Sequence, residues 1–516
     1  MRIKTARGAF VAALATALLS TTLTGGGGTA GAAMVDTLGY DPVANKGALW
    51  HVKEVVQANV MHKAGFTGKG IGVALIDTGV NEVRGLDTGN VFHGPDLSFD
   101  SQDPELTRKD AYGHGTHLAS IIAGRDAAGK PASYASPNAF YGVAPDVNLL
   151  SVKVGASDGA VDVTQVIAAI DWVVEHRNDN NMKIRVITLA YGTDSVQDPM
   201  VDPLTYAVEQ AWKAGITVVV AGGNDGQDTM LLANPARSPY VIAVGAADTQ
   251  GTVSPVDDAV PTWASRGTNS RHVDVVAPGV SVLGARVPLG YADQRNEQAR
   301  VGTRFAKASG TSQAAAVVAG EVALLLQAKP RLLPDQVKQQ LRTTAYPFSS
   351  IDNKYRGNGM TQVNDARLKD VTSAKQSSMF FSSGTGSIEA ARGTSHVNDG
   401  VSELRGEVDI FGNPWDGATW ANLSANGNAW LGGNWRGWTW SGDGWEARSW
   451  RGTTWSAGTW SARSWRDSEW AARSWRDGSW TAGDWSARSW REALWSARSW
   501  RTADLASNGW HSHTWR

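Results

Sequence analysis

Four short stretches of this chain are rich in branched apolar residues, and each leads into a turn that carries glycine. Val73 to Ile76 leads into Asp77-Thr78-Gly79, and Leu149 to Val154 into Ser157-Asp158-Gly159. Ile184 to Thr188 leads into Leu189-Ala190-Tyr191-Gly192, and Val218 to Ala221 into Gly222-Gly223-Asn224. Apolar runs this short, bounded by turn signals, read as buried strands. Two longer stretches of small and apolar residues, Leu118 to Gly124 and Gln313 to Leu326, read as helices able to cover them. The expected fold class is α/β. Open α/β sheets gather their working residues at the carboxyl ends of the strands.

Three segments carry reactive side chains beside glycines: Asp77-Thr78-Gly79, Gly113-His114-Gly115-Thr116-His117 and Gly310-Thr311-Ser312. A serine hydroxyl is a poor nucleophile at neutral pH and needs a base within reach, itself oriented by a third group. His114 suits the base, Asp77 the orienting carboxylate and Ser312 the nucleophile. Ser312 opens an apolar helix, where backbone N–H groups and a positive dipole end are found. Taken singly, each motif has a plainer reading. Asp-Thr-Gly is a turn, His-Gly-Thr-His a helix start or a metal pair, and Gly-Thr-Ser a helix cap. Their joint occurrence, on compatible elements, outweighs those readings. The chain order Asp, His, Ser separates this set from other serine hydrolase arrangements.

With these motifs in that order, the chain resembles the subtilisin-like serine protease family from about Gly65 to about Ala366. The resemblance implies a parallel sheet flanked by helices and peptide-bond hydrolysis by an Asp77, His114 and Ser312 triad. It implies that His117, the second histidine, packs or hydrogen-bonds. Asn224, after the strand Val218 to Ala221, is the oxyanion donor the resemblance implies, acting with the Ser312 N–H. The plainer alternative is an asparagine favoured in a turn. Leu189, Ala190, Tyr191 and Gly192, with Ala221, Gly222 and Gly223, are expected to line the primary specificity pocket and to pair with an extended peptide. Ser157, Asp158 and Gly159 are expected to flank the other side. Two positions depart from the family pattern: Gln313 replaces an aromatic residue or methionine, and Ala316 replaces a proline. Neither removes a reactive group. No organic cofactor is required, and calcium is the one metal the resemblance brings in. The acidic stretch Asp96, Asp100, Asp103 and Glu105 reads as a solvated loop rather than a ligand set.

Residues 1–33 have the form of a secretory signal peptide. Arg2, Lys4 and Arg7 precede an apolar run from Ala9 to Leu19, and small residues follow to Ala33. That run is too short to span a bilayer. The expected location is therefore extracellular. The chain has no cysteine, so its stability cannot come from disulfides. A formal net charge of -1 gives no basic field for nucleic acid. The expected partners are peptide or protein substrates. About 40 residues separate Ala33 from Asp77, which leaves no room for a foldase-type pro-domain. Val55 to Ala64 reads as a helix.

The catalytic domain is expected over 34–370 and a linker with short strands, at Ser387 to Arg392 and Val401 to Phe411, over 371–414. Residues 415–516 form a repeat region. Tryptophan recurs there every fifth residue from Trp415, interrupted at Ala425 and Leu505, with Trp438 as the one extra. Fixed self-similarity marks a repeat architecture. A step of five gives a single stripe on neither a helix nor a flat strand. Short extended segments joined at Gly, Ser and Asp corners, a β-rich arrangement, fit better. The indoles stack on one another or wrap the rest of the chain, form a platform for glycans of a cell wall or of a polymeric substrate, or serve protein–protein assembly. A rival to the protease reading is a catalytically silent wall-binding or scaffold protein that keeps the same fold.

Overall fold

The computed structural model describes residues 38–440, apart from 104, 229, 349, 371–380, 398–402 and 432. The expected signal peptide and the tryptophan pentads from Trp445 onward lie outside these residues. So do residues 371–380 and 398–402 of the expected linker.

Seven parallel strands form the central sheet. They are β1 Gly72–Asp77, β2 Val91–Asp96, β3 Asn148–Lys153, β4 Ile184–Leu189, β5 Thr217–Ala221, β6 Ile242–Ala247 and β7 Val275–Pro278. Their spatial order is β2-β3-β1-β4-β5-β6-β7. Every residue of β1, β5, β6 and β7 is buried. That matches their near-continuous Val, Ile and Ala content, which is the composition of strands covered on both faces. The order reverses at β1, which lies between β3 and β4. Asp77 ends β1 and therefore sits at the switch point, where crevices open in such sheets. Leu189 and Ala221 end β4 and β5 at the same carboxyl edge.

Two helices carry the other reactive residues. The histidine helix, His114–Ala123, is buried along its whole length. The serine helix, Thr311–Ala328, has 18 residues and packs against β4 to β7 and the histidine helix. By length and composition it could cross a membrane, but 89% of that window is buried, which is the environment of a core helix. A small antiparallel sheet couples the two. Phe305–Ala308 pairs with Val282–Ala285 and then runs through Ser309-Gly310 into the serine helix. The Ala285 N–H donates to Ser120 Oγ of the histidine helix at 2.7 Å.

Some local expectations change. Val55 to Ala64 is not one helix. Leu49–Val55 and Ala58–Lys63 meet at Gln57, whose φ of 62° is left-handed and breaks the run. Ser387 to Arg392, expected as a short strand, contains the helix Ile388–Arg392, capped where Ser387 Oγ accepts the Ala390 N–H at 3.0 Å. Among the described residues of 403–411 no strand forms, and Val408 makes an isolated bridge to Pro414. The repeat region begins with the helix Gly417–Ala425. Three two-residue strands follow, Trp430–Leu431, Asn434–Trp435 and Trp438–Thr439, paired antiparallel.

This region packs on the helix Val163–His176. Asp171 Oδ2 accepts the indole N–H groups of Trp420 at 2.8 Å and Trp435 at 3.0 Å, and its Oδ1 accepts the Ser424 hydroxyl at 2.6 Å. Arg392, fully buried, pairs with Asp162, the N-cap of that helix, at 2.6 Å. Trp415, Trp420, Trp430, Trp435 and Trp440 are all buried, whereas the extra Trp438 is 45% exposed. In these pentads the indoles are buried against one another and against the helix Val163–His176 and do not form an exposed platform.

Candidate active site

The carboxyl end of β1 places Asp77 against the first turn of the histidine helix. Asp77 Oδ1 lies 2.7 Å from His114 Nδ1 and accepts the Thr78 N–H at 2.7 Å. With Nδ1 facing a carboxylate, the ring hydrogen is assigned there, and Nε2 keeps its lone pair. Both side chains are almost completely buried, so the contact is little screened by solvent.

The helix start is held by a residue outside the three motifs. Asp110 accepts the N–H groups of Gly113 and Thr116, at 2.6 and 2.7 Å, and the Thr116 hydroxyl at 2.6 Å. The Thr78 hydroxyl lies 2.9 Å from the same carboxylate and accepts the Gly115 N–H at 2.9 Å. Burial pushes the Asp110 carboxyl up from its usual range, while these donors pull it down. The sequence signal is an aspartate just before a glycine-bearing helix start, a common anchor for orphan N–H groups.

His117 packs inward. Burial, then the neighbouring His114, lowers its pKa to about 3, so it stays neutral. A Cβ on Gly284 would meet its Nδ1 at 2.7 Å, so glycine there allows the small sheet to touch the histidine helix.

On the far side of β1, β5 ends and delivers Asn224. Its Oδ1 accepts both the N–H and the hydroxyl of Thr311, each at 3.0 Å. These bonds fix which end of the amide is oxygen. The Nδ2 donors are therefore turned away from Thr311. Ser312 is the next residue, fully buried in the first turn of the serine helix.

The expected peptide-lining segments fare differently. The Gly222 N–H donates to Val244 O at 2.8 Å, and its carbonyl accepts from Ala233 at 3.0 Å. The Gly223 N–H donates to Thr311 Oγ1 and its carbonyl accepts from Ser265. Strand pairing with a peptide therefore does not extend to Gly222 and Gly223, because their own fold uses these groups. Ala221 ends β5, and Leu189 ends β4 with Ala190, Tyr191 and Gly192 just beyond it. Tyr191 is 1% exposed and belongs to the buried core. Ser157, Asp158 and Gly159 form a tight turn in which Asp158 accepts the Ala160 N–H at 2.9 Å.

The acidic stretch does not fit calcium. Lys153 Nζ lies 2.7 Å from Asp100 Oδ2, both nearly fully buried, so Asp100 is not a solvated loop residue. Asp96 accepts from Ser98 and from the Arg108 N–H, and Asp103 from the Glu105 N–H. A lysine ammonium already supplies the positive charge. Among the described residues no three His, Cys, Asp or Glu side chains are grouped to hold a metal.

Known proteins share this arrangement of sequence. Serine protease AprX of Bacillus subtilis is 35% identical over 322 residues, which is 61% of this chain and 69% of that protein. Subtilisin BL of Lederbergia lenta is 30% identical over 317 residues, 61% of this chain and 97% of that protein. Subtilisin E of Bacillus subtilis is 30% identical over 314 residues, 60% of this chain and 69% of that protein. Because the pattern that defines the Subtilase family also matches residues 68–386, well over half of the chain, this protein belongs to that family and is a subtilisin-like serine protease.

Proposed function

We propose that the chain is an exported endopeptidase that cleaves peptide bonds through an acyl-enzyme, with Ser312 as nucleophile, His114 as base and acid, Asp77 as orienting carboxylate and Asn224 as oxyanion donor. Ser312 Oγ adds to the scissile carbonyl carbon while its proton passes to His114 Nε2. Asp77 holds the ring and stabilises the imidazolium. Negative charge on the former carbonyl oxygen falls between Asn224 Nδ2 and the Ser312 N–H. Collapse breaks the C–N bond, and His114 returns the proton to the leaving amine. Water then attacks the ester by the same route and regenerates Ser312. A fixed side-chain donor aimed at the oxyanion is worth about 10²–10³ in turnover, a range that comes from an oxyanion asparagine in a subtilisin itself.

The observation that carries this reading is the buried 2.7 Å contact between Asp77 and His114 at the switch point of the sheet. Asn224, turned by Thr311 at the end of β5, supports it. The substrate is an extended peptide or protein, approached from the Leu189 to Gly192 side and from Ser157 to Gly159. Export rests on the basic and apolar pattern of residues 1–33. N-terminal sequencing of secreted protein tests it.

A serine-directed fluorophosphonate tests the chemistry. The native chain is expected to label, Ser312→Ala not at all, and His114→Ala only weakly. Folded native protein that stays unlabelled would instead favour a silent scaffold with the same fold.

A further inference from the structure

The short helix Ile388–Arg392 bonds to the bases of both segments proposed to flank the substrate. It belongs to residues 387–411, which lie past the stretch 68–386 that the Subtilase pattern matches. The first attachment is at the Ser157 to Gly159 turn. That turn is closed where the Ala156 N–H donates to Ala160 O at 3.0 Å. Asp162, two residues on, caps the helix Val163–His176. Arg392 Nε donates to Asp162 Oδ2 at 2.6 Å, and both residues are fully buried. The other guanidinium nitrogens donate to the carbonyl oxygens of Gly406 and Val408, so one fork joins the base of the turn to the end of the segment. The Ile410 N–H adds a bond to Thr164 Oγ1 at 3.1 Å.

The second attachment begins at the residue after Gly192. The Thr193 hydroxyl donates to Ala391 O at 2.8 Å. Asp194 accepts the Thr394 N–H at 2.6 Å and the Thr394 hydroxyl. The Gln197 amide donates to Ser387 O at 3.1 Å and accepts the Ser387 N–H at 2.8 Å. A Cβ on Gly393 would stand 2.7 Å from the Ser195 nitrogen, so glycine lets the two stretches close up. Ala391 and Arg392 are neighbours in sequence, yet one bonds to each flank. The strands that lead into those flanks, β3 and β4, are separated in the sheet by β1, which ends in Asp77. A tie across that gap fixes the distance between the flanks before any peptide arrives. A peptide long enough to touch both gains from that, because the ordering cost is already met in the free protein. A substrate that reaches only the reactive centre gains nothing.

We propose that residues 387–411 clamp the two substrate-flanking segments at a fixed spacing, with Arg392 and Asp194 as positioning residues, and so select extended peptides over single-residue substrates. The clamp rests on the peptide-cleaving reading and adds to it what sets the length of chain the enzyme prefers.

The full chain and its variants are assayed on a fluorescence-quenched decapeptide library and on the p-nitrophenyl ester of N-acetylalanine, each rate divided by the fraction of chain that a fluorophosphonate labels. Asp194 is exposed, so Asp194→Ala cuts a tie without stranding a buried charge. It is expected to lower kcat/KM on the peptides about tenfold, as a small misplacement does, and to leave the ester rate within about twofold. Asp194→Asn keeps an acceptor for the Thr394 N–H and a partner for its hydroxyl, and is expected to restore peptide hydrolysis. Arg392→Lys keeps a cation beside Asp162 but loses the fork to Gly406 and Val408, and is expected to show the same peptide-selective loss. Equal losses on both substrates, or native peptide hydrolysis in both Asp194→Ala and Arg392→Lys, overturn the clamp and leave the hydrolase reading standing. A native chain that neither labels nor hydrolyses either substrate overturns both.

Discussion

Gly115 lies directly against Asp77. A Cβ on Gly115 would stand 3.1 Å from Asp77 Oδ1 and 2.1 Å from the Gly79 carbonyl oxygen. The second distance is far inside van der Waals contact, and backbone on both sides cannot yield cheaply. Gly115→Ala is therefore expected to push the histidine helix away from β1 and lengthen the Asp77–His114 contact. Losing the orienting carboxylate costs about 10⁴ in turnover in serine proteases. A displaced one is expected to cost between about 10² and 10⁴ in kcat/KM. Peptide hydrolysis measured beside circular dichroism checks this. A folded variant with native activity would show that the helix start tolerates the shift.

Gln313 follows Ser312 and is fully buried, with neither end of its amide hydrogen-bonded. Burying an amide without partners costs about 1–3 kcal/mol on mutational scales. Methionine has similar reach, no strong polar atom and comparable helix propensity. Gln313→Met is expected to raise the melting temperature by several degrees, as a gain of that size does in a domain of this length. Thermal denaturation checks it, and a lowered melting temperature would mean that the amide has a stabilising role.

The elements that deliver the reactive side chains were legible because each has a local signal. β1 is an apolar run ending in Asp-Thr-Gly, and the serine helix is a long apolar stretch after Gly-Thr-Ser. The groups that hold those side chains were not legible. Asp110 serves Thr78, 32 residues earlier, and Thr311 serves Asn224, 87 residues earlier. Locally both read as turn or cap residues, since nothing in a polar side chain's own neighbourhood names a distant partner. The tryptophan period predicted short strands but not their target. Asp171 looks like one more acid on an amphipathic helix until Trp420 and Trp435 arrive from 249 and 264 residues away. The hydrogen bonds of Gly222 and Gly223 to Val244, Ala233, Thr311 and Ser265 were equally invisible in a run of two glycines.

Glu321 is fully buried in the serine helix. Its Oε1 accepts the Thr361 hydroxyl at 2.6 Å, and Oε2 is unpartnered. Burial raises its pKa to about 8. Between the unfolded value of about 4.3 and pH 8, the folded state holds a proton that the unfolded state has lost. Stability then falls as pH rises through that window and levels off above it. Glu321→Gln keeps an acceptor and cannot ionise, so its melting temperature is expected to fall less than that of the native chain from pH 5 to pH 8. Parallel melting curves read the difference directly, which cancels the other titrating groups. Equal slopes for the two proteins would mean that Glu321 is not protonated near neutral pH.

Asp171 ties the tryptophan-bearing segment to the catalytic domain. Asp171→Ala leaves two buried indole N–H groups and a serine hydroxyl without their acceptor. At about 1–3 kcal/mol for each unmet donor, less what is recovered by no longer burying a carboxylate, a net loss of about 2–4 kcal/mol is expected. Burial raises the pKa of this carboxyl to about 6 against the pull of its three donors. The native chain therefore gives up part of the anchor as pH rises from the unfolded value of about 3.9 to pH 6. The loss in the variant is accordingly expected to be smaller at pH 7.5 than at pH 4.5, and melting temperatures at both pH values read it. Limited proteolysis should cut the variant within 403–431 sooner than the native chain, since those residues lose their shared anchor. Hydrolysis of a short peptide at low temperature should persist, because Asp171 touches none of the reactive groups. An unchanged melting temperature and digestion pattern would mean that the indoles are held by apolar contact alone.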